Sequence, residues 1–335
     1  MEKIEYPITQ RRLRTSSLVR ELTASVKLNH KSFILPLFVE EGLAAPRLVP
    51  GLGPVQVETI HSITGAVEEQ LANGIAKFLL FPVPAGKQEQ LKDFSFATNL
   101  VRTLKQTFGE RIWIAADLCL CSYTTHGHCG VLDEEHTRLL NSPTVDVLVQ
   151  YASKLAAAGV DCIAPSDMMD GRIGAIRTRL DALGLEEVTI MSYAAKFSSQ
   201  FYGPFRDACH SAPQSAGLQN RKTYQHSPLN PADALASALR DEREGADILM
   251  VKPAALYTDI IAAVKARTLK PLAAYHVSGE YAAIEALAEK GLVNRAAAHL
   301  EVWAALVRSG ADIIISYAAG EARQWMVKNK EVLKY

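Results

Sequence analysis

The chain has 335 residues, is 48% hydrophobic, and balances 36 basic against 36 acidic side chains. Net neutrality excludes nucleic acid or an anionic membrane surface as its main partner, because both demand a basic field. No apolar run approaches the ~20 residues of a membrane span. The start, Met1-Glu2-Lys3-Ile4-Glu5-Tyr6-Pro7, has no apolar signal-peptide core. A cytoplasmic protein is expected, with cysteines serving as thiols or metal ligands instead of disulfides.

Residues 1–30 form a polar leader around Gln10-Arg11-Arg12-Leu13-Arg14. It reads as a solvated basic tail, with an arm wrapping a neighbouring subunit as the alternative. From residue 33 the remainder, 31–335, takes up a rhythm. Apolar runs fall at 33–39, 77–83, 113–121, 162–166, 188–196, 248–253, 271–278 and 313–319. Helix-like stretches at 64–73, 145–158, 174–180, 231–244, 257–267 and 295–309 lie between them. Gly159-Val160-Asp161, Gly245-Ala246-Asp247 and Gly310-Ala311-Asp312 lead from helix to strand, with glycine placed to end each helix. Eight buried strands alternating with helices predict an α/β fold, a (β/α)₈ TIM barrel. The competing doubly wound sheet lacks its Gly-x-Gly-x-x-Gly turn after the first strand. Barrel chemistry sits at the C-terminal strand ends.

The third run passes into Asp117 and then Cys119, Cys121 and Cys129, spaced C-x-C-x₇-C among Ser, Thr, Gly and His. Three thiolates bind a metal such as Zn²⁺ and leave one position open for water or substrate. His126 or His128 as fourth ligand would close the site. Three buried thiols packed as small hydrophobes is the bland alternative. Cys162 begins a strand and reads as core, while Cys209 stays unassigned. After the fourth run, Asp167 and Asp170 suit either acid/base work or capping of the next helix.

The fifth run ends at Lys196 and the sixth at Lys252, neighbours in such a barrel. Mutual repulsion and an apolar wall lower amine pKa values and release the neutral nucleophile for Schiff-base chemistry on a ketone. One lysine suffices for an aldolase; two suggest two carbonyl substrates side by side. Residues 197–230 read as a long irregular lid carrying Arg206, Arg221, Lys222 and Gln225. Arginines on a lid suit a carboxylate. Tyr275, Ser278 and Tyr317 close the last two strands and offer hydroxyls to a second one.

Arg11-Arg12-Leu13-Arg14 and stretches 117–130, 164–172, 191–208, 250–253, 275–280 and 312–317 resemble the porphobilinogen synthase (5-aminolaevulinate dehydratase) family, over nearly the whole chain. The resemblance implies condensation of two 5-aminolaevulinate molecules to porphobilinogen, with loss of two waters. It implies Schiff bases at Lys252 with the propionyl-side substrate and at Lys196 with the acetyl-side one. Ser278 and Tyr317 match the residues that bind the first carboxylate; Arg206, Arg221 and Gln225 match those for the second. Cys119, Cys121 and Cys129 match zinc ligands, which some relatives replace by aspartate. Asp117 and Ser166 match pocket residues, and the likeness implies that Asp117 handles protons or the substrate amine. A homo-octamer embraced by its arms follows from the same likeness. Some bacterial members bind stimulatory magnesium through a glutamate whose place Ser237 takes here, with Arg240 one turn on, so no magnesium regulation is expected. A class I aldolase is the rival enzyme, and a non-catalytic metal-binding scaffold the rival of another class.

Overall fold

The computed structural model describes residues 11–213 and 217–328. Eight parallel strands close the barrel: β1 (Phe33–Glu40), β2 (Lys77–Val83), β3 (Trp113–Leu118), β4 (Cys162–Pro165), β5 (Thr189–Lys196), β6 (Ile248–Lys252), β7 (Leu272–His276) and β8 (Ile313–Ser316). Each pairs with the next, and β8 returns to β1 through Phe33 opposite Ile314. Side chains face a packed interior on one side and helices on the other, so the strands carry no polar face. After Lys77 every residue of β2 is buried, as is all of β7.

The repeated Gly-x-Asp steps have a second use beyond ending helices. Gly159, Gly245 and Gly310 have φ of 96°, 100° and 113°, where a side chain is strained. The aspartates that follow reach sideways to the neighbouring strand. Asp161 accepts from Ile114 N at 2.7 Å, Asp247 from Ile190 N at 2.8 Å and Asp312 from Leu272 N at 2.9 Å. Three strand pairs are thereby stapled at the end opposite the chemistry.

Helices Ile63–Ala72, Asn141–Ala157, Arg172–Ala182, Pro231–Arg243, Thr258–Lys265 and Arg295–Arg308 follow the predicted periods. Ser95–Phe108, not foreseen, fills the crossover from β2 to β3, and Ser278–Glu289, also not foreseen, precedes Arg295–Arg308 between β7 and β8. Three predicted strands stop two or more residues early. β3 ends at Leu118 because the chain turns there, Tyr123 N and Thr124 N both bonding Leu120 O at 2.9 Å. Ser278 opens a helix, where Glu280 accepts from Val277 N at 3.0 Å. Ala319 lies in the short 3₁₀ helix Ala319–Glu321.

The lid also departs from expectation. It contains the 3₁₀ turn Gln200–Tyr202 and the helix Gly203–Ala208, started by a proline in its first turn. Of the leader, residues 1–10 lie outside the described part. Arg11–Arg14 and the helix Ser17–Thr23 bury no residue, and Leu13, Leu18 and Leu22 are 51%, 75% and 84% exposed. No described helix is long and apolar enough to cross a membrane.

Candidate active site

Lys196 and Lys252 are register partners across β5 and β6, both buried at the C-terminal mouth. The Lys252–Pro253 peptide is cis. The Lys252 Nζ lies 4.1 Å from the ring centre of Tyr275, 4.8 Å from Phe205 and 5.0 Å from Tyr193. Burial among these rings, helped by the neighbouring Lys196 ammonium, lowers its pKa to about 7. A large fraction of Lys252 is therefore the neutral amine near neutral pH. Lys196 Nζ donates to the Ser166 carbonyl at the end of β4.

Asp117, at the end of β3, stands opposite both amines. Burial pushes its carboxyl up, while Lys196, Lys252 and the nearby Ser166 and Tyr193 hydroxyls oppose that rise. Its Oδ1 has no hydrogen-bond partner. A carboxyl so placed is equipped to take and return a proton.

The cysteine loop completes that side. The ligand atoms of Cys119, Cys121 and Cys129 lie within 4.8 Å of one another, and all three thiols are free and buried. Hydrogen bonds from the other two thiols, with Arg221 and Lys196 nearby, hold Cys129 well below the usual thiol range. Both histidines weighed as a fourth ligand are turned elsewhere. His128 Nε2 bonds Leu218 O at 2.6 Å and its Nδ1 the Tyr224 hydroxyl at 3.0 Å. His126 Nδ1 accepts from His128 N at 3.1 Å. Among the described residues the donor set is three sulfurs, which fits a metal with an open coordination position.

The lid roofs the mouth. Arg221 Nη2 donates to Gly127 O and Ser211 O at 3.0 and 2.6 Å, tying cysteine loop to lid. Its Nε, the Arg206 Nε and both amide atoms of Gln225 are buried without hydrogen-bond partners. Burial, then the neighbouring Arg221, lowers the Arg206 pKa. Unpaired buried donors carry a large desolvation cost, and a carboxylate would relieve it. On the far side Tyr275 and Tyr317 share a hydroxyl contact of 3.2 Å, and Ser278 Oγ meets Phe201 O and Phe205 N of the lid at 3.3 and 3.2 Å.

Asp117, Cys119, Cys121, Ser166, Lys196 and Lys252 surround one cavity, roofed by Tyr202, Phe205 and Arg221. It holds only about 10 Å³, room for about one water. Tyr275 packs on the Lys252 amine and Ser278 bonds the backbone of Phe205, both just behind the lining, whereas Tyr317 lines a separate cavity and Gln225 a separate groove. Asp167 and Asp170 do not line it. Asp167 is fully buried, accepting from Met169 N and paired with Arg172, while Asp170 is paired with Arg240 at the surface. Neither caps the following helix, which begins after Gly171 at φ 78°. Cys162 is core, and Cys209 is buried at the end of the lid helix. Tyr193, Tyr202 and Phe205, the rings around Lys252, escaped the sequence reading. The Gly203-Pro204 pair, a helix-start signal, was the available clue to the lid aromatics.

A family model described as Delta-aminolevulinic acid dehydratase matches residues 8–325. The chain belongs to the delta-aminolevulinic acid dehydratase family. It is 41% identical to the delta-aminolevulinic acid dehydratase of Halalkalibacterium halodurans, over 96% of this chain and 97% of that one. Identity to the Bacillus subtilis protein of the same name is also 41%, over 95% and 98%. The fold is similar to the Toxoplasma gondii delta-aminolevulinic acid dehydratase (porphobilinogen synthase), solved with the reaction product porphobilinogen. That match has a TM-score of 0.91 and 37% identity, covering 99% of this chain and 95% of the other.

Proposed function

We propose that this member of the family condenses two 5-aminolaevulinate molecules into porphobilinogen, losing two waters, an early step of tetrapyrrole (haem) biosynthesis. The observation that carries it is the register pairing of Lys196 with Lys252 over one cavity lined by Cys119 and Cys121, which cluster with Cys129. In this reading the neutral Lys252 amine adds to the ketone of the propionyl-side substrate and expels its oxygen as water, leaving an imine. Lys196 does the same for the acetyl-side substrate. Two lysines side by side hold two ketones close enough to join, which turns a two-molecule encounter into a reaction within one complex.

Asp117 faces both amines and moves protons between them and the departing water. Ser278 and Tyr317 bind the first carboxylate beside Tyr275. The unpaired nitrogens of Arg206 and Arg221, with Gln225 from the lid, bind the second. Phe205, Tyr202 and Tyr193 keep water from the amine. Cys119, Cys121 and Cys129 would hold zinc, which when bound supplies Lewis-acid polarisation near the acetyl-side substrate and its amine.

Residues 1–30 are an arm and 31–335 the catalytic barrel of a homo-octamer in the cytoplasm, on this reading. The leucines the leader leaves in solvent support an arm that packs on another subunit. The helix Pro231–Arg243 offers no magnesium carboxylate at Ser237, whose Oγ accepts from Arg240 at 3.1 Å. Arg240 also pairs with Asp241 at 3.0 Å, which supports a protein without magnesium stimulation.

Purified protein is expected to form porphobilinogen from 5-aminolaevulinate, to lose that activity to a zinc chelator and to regain it with zinc. Borohydride with 5-aminolaevulinate is expected to fix substrate on Lys252. Absence of product from metal-replete protein would sink the reading. Native mass with residues 1–30 deleted checks the arm: an unchanged octamer refutes it.

A further inference from the structure

Strand β5 does not alternate. Side chains point to opposite faces of a strand in turn, so Ser192 and Lys196, four residues apart, belong on one face. The structure puts them on two. Ser192 Oγ donates to Asp241 Oδ2 at 2.5 Å, on a helix outside the barrel, whereas Lys196 lines the cavity inside. The register explains the switch. Ser192 pairs with Leu249 and Ala195 with Val251, so Tyr193 and Ala194 together oppose Met250 alone. Two residues against one is a β-bulge, and a one-residue slip flips every side chain beyond it.

A buried charge cluster is fastened to that bulge. Arg172, wholly buried, donates from Nη2 to Tyr193 O at 3.3 Å and to Ser192 Oγ at 3.4 Å. It pairs with Asp241 at 3.3 Å and with Asp167 at 3.4 Å. Its Nη1 reaches Met169 O at 3.1 Å, in the turn that follows Ser166. The Ser166 carbonyl is the acceptor for Lys196 Nζ. One guanidinium thus ties the bulge of β5 to the turn that receives the lysine head. None of these three charged groups lines the cavity. Burying them is costly, and apolar packing of equal volume often serves stability as well or better. Their geometry has a use that stability does not account for.

We propose that Arg172 and Asp241 are positioning residues that clamp the β5 bulge and so turn Lys196 into the cavity, opposite Lys252. The consequence for catalysis rests on the Schiff-base role of Lys196, whereas the orientation itself does not. The test is a crystal structure and steady-state kinetics of Arg172→Lys, Asp241→Asn and Ser192→Ala. In the two charge variants the bulge is expected to relax, withdrawing Lys196 Nζ from Ser166 O. Their kcat is expected to fall about 100-fold with KM little changed, the scale of a misplacement of about 1 Å. Ser192→Ala removes one hydrogen bond and no charge, and is expected to give a smaller loss of the same kind. It decides the matter alone if the charge variants fail to fold. A folded variant that keeps Lys196 opposite Lys252 at native kcat overturns the proposal. A withdrawn Lys196 with unchanged kcat instead keeps the clamp and overturns the catalytic role of that lysine.

Discussion

Replacing Lys252 by methionine should remove activity and make the protein more stable, in a way that depends on pH. Unfolded, this lysine titrates near 10.5; folded, burial and Lys196 bring it to about 7. Between those values the unfolded chain binds the extra proton, so stability rises with pH across that window. Below about pH 7 both states are protonated, and the folded state bears the full cost of a buried ammonium. At about 1.4 kcal/mol for each pH unit between the two values, that cost is roughly 5 kcal/mol. Methionine has similar reach and no charge, and its thioether packs well on the rings of Tyr275, Phe205 and Tyr193. Asp117 would then face one ammonium instead of two, which trims the gain. Urea unfolding of both proteins, followed by fluorescence of Trp113, Trp303 and Trp325, measures the difference. Lys252→Met should lead by up to ~5 kcal/mol near pH 6, and the lead should vanish as pH approaches that of an ordinary lysine. A gain that stays the same at all pH values, or no gain below pH 7, would refute a depressed lysine at this position.

Cys129→Ala should leave a folded protein with well under one bound metal per chain by elemental analysis. Borohydride fixation at Lys252 should persist in that variant. Arg221→Ala or Gln225→Ala should raise KM for 5-aminolaevulinate about 10- to 100-fold, the worth of one or two charge-assisted hydrogen bonds. An unchanged KM in steady-state kinetics would remove them from the carboxylate site. Asp247→Ala, far from the mouth, should cost about 1.5–3 kcal/mol in urea unfolding with kcat intact, because Ile190 N loses its charged acceptor.

Much of the site was legible because its residues fall at strand ends in a repeating chain. Lys196, Lys252, Asp117 and the three cysteines could be placed from apolar runs and glycine punctuation alone. Other parts were not legible for identifiable reasons. Tyr193 lies three residues before Lys196 across the β5 bulge, so a period-two reading anchored on the inward Lys196 aims it outward. Tyr202 and Phe205 lie in what reads as loop, on turns too short for a helical period to show. The pairing of Asp167 was not legible because its partner, Arg172, reaches back to it across a turn.

What the sequence by itself determined is the number of strands, their spacing by helices and the chemistry available at their ends. These depend on local patterns, since hydrophobic period and capping are read over a few neighbours. Tertiary structure alone decided which side chains meet. The pairing of Lys196 with Lys252 depends on the β5–β6 register, and that register includes one residue more on β5 than on β6. The rejection of His126 and His128 as ligands depends on bonds to Leu218, Tyr224 and the loop backbone. Burial of an amine among aromatic rings is likewise a property of the closed barrel and its lid. Desolvation and Coulomb energy act through space, between groups that strand order brings together from distant parts of the chain.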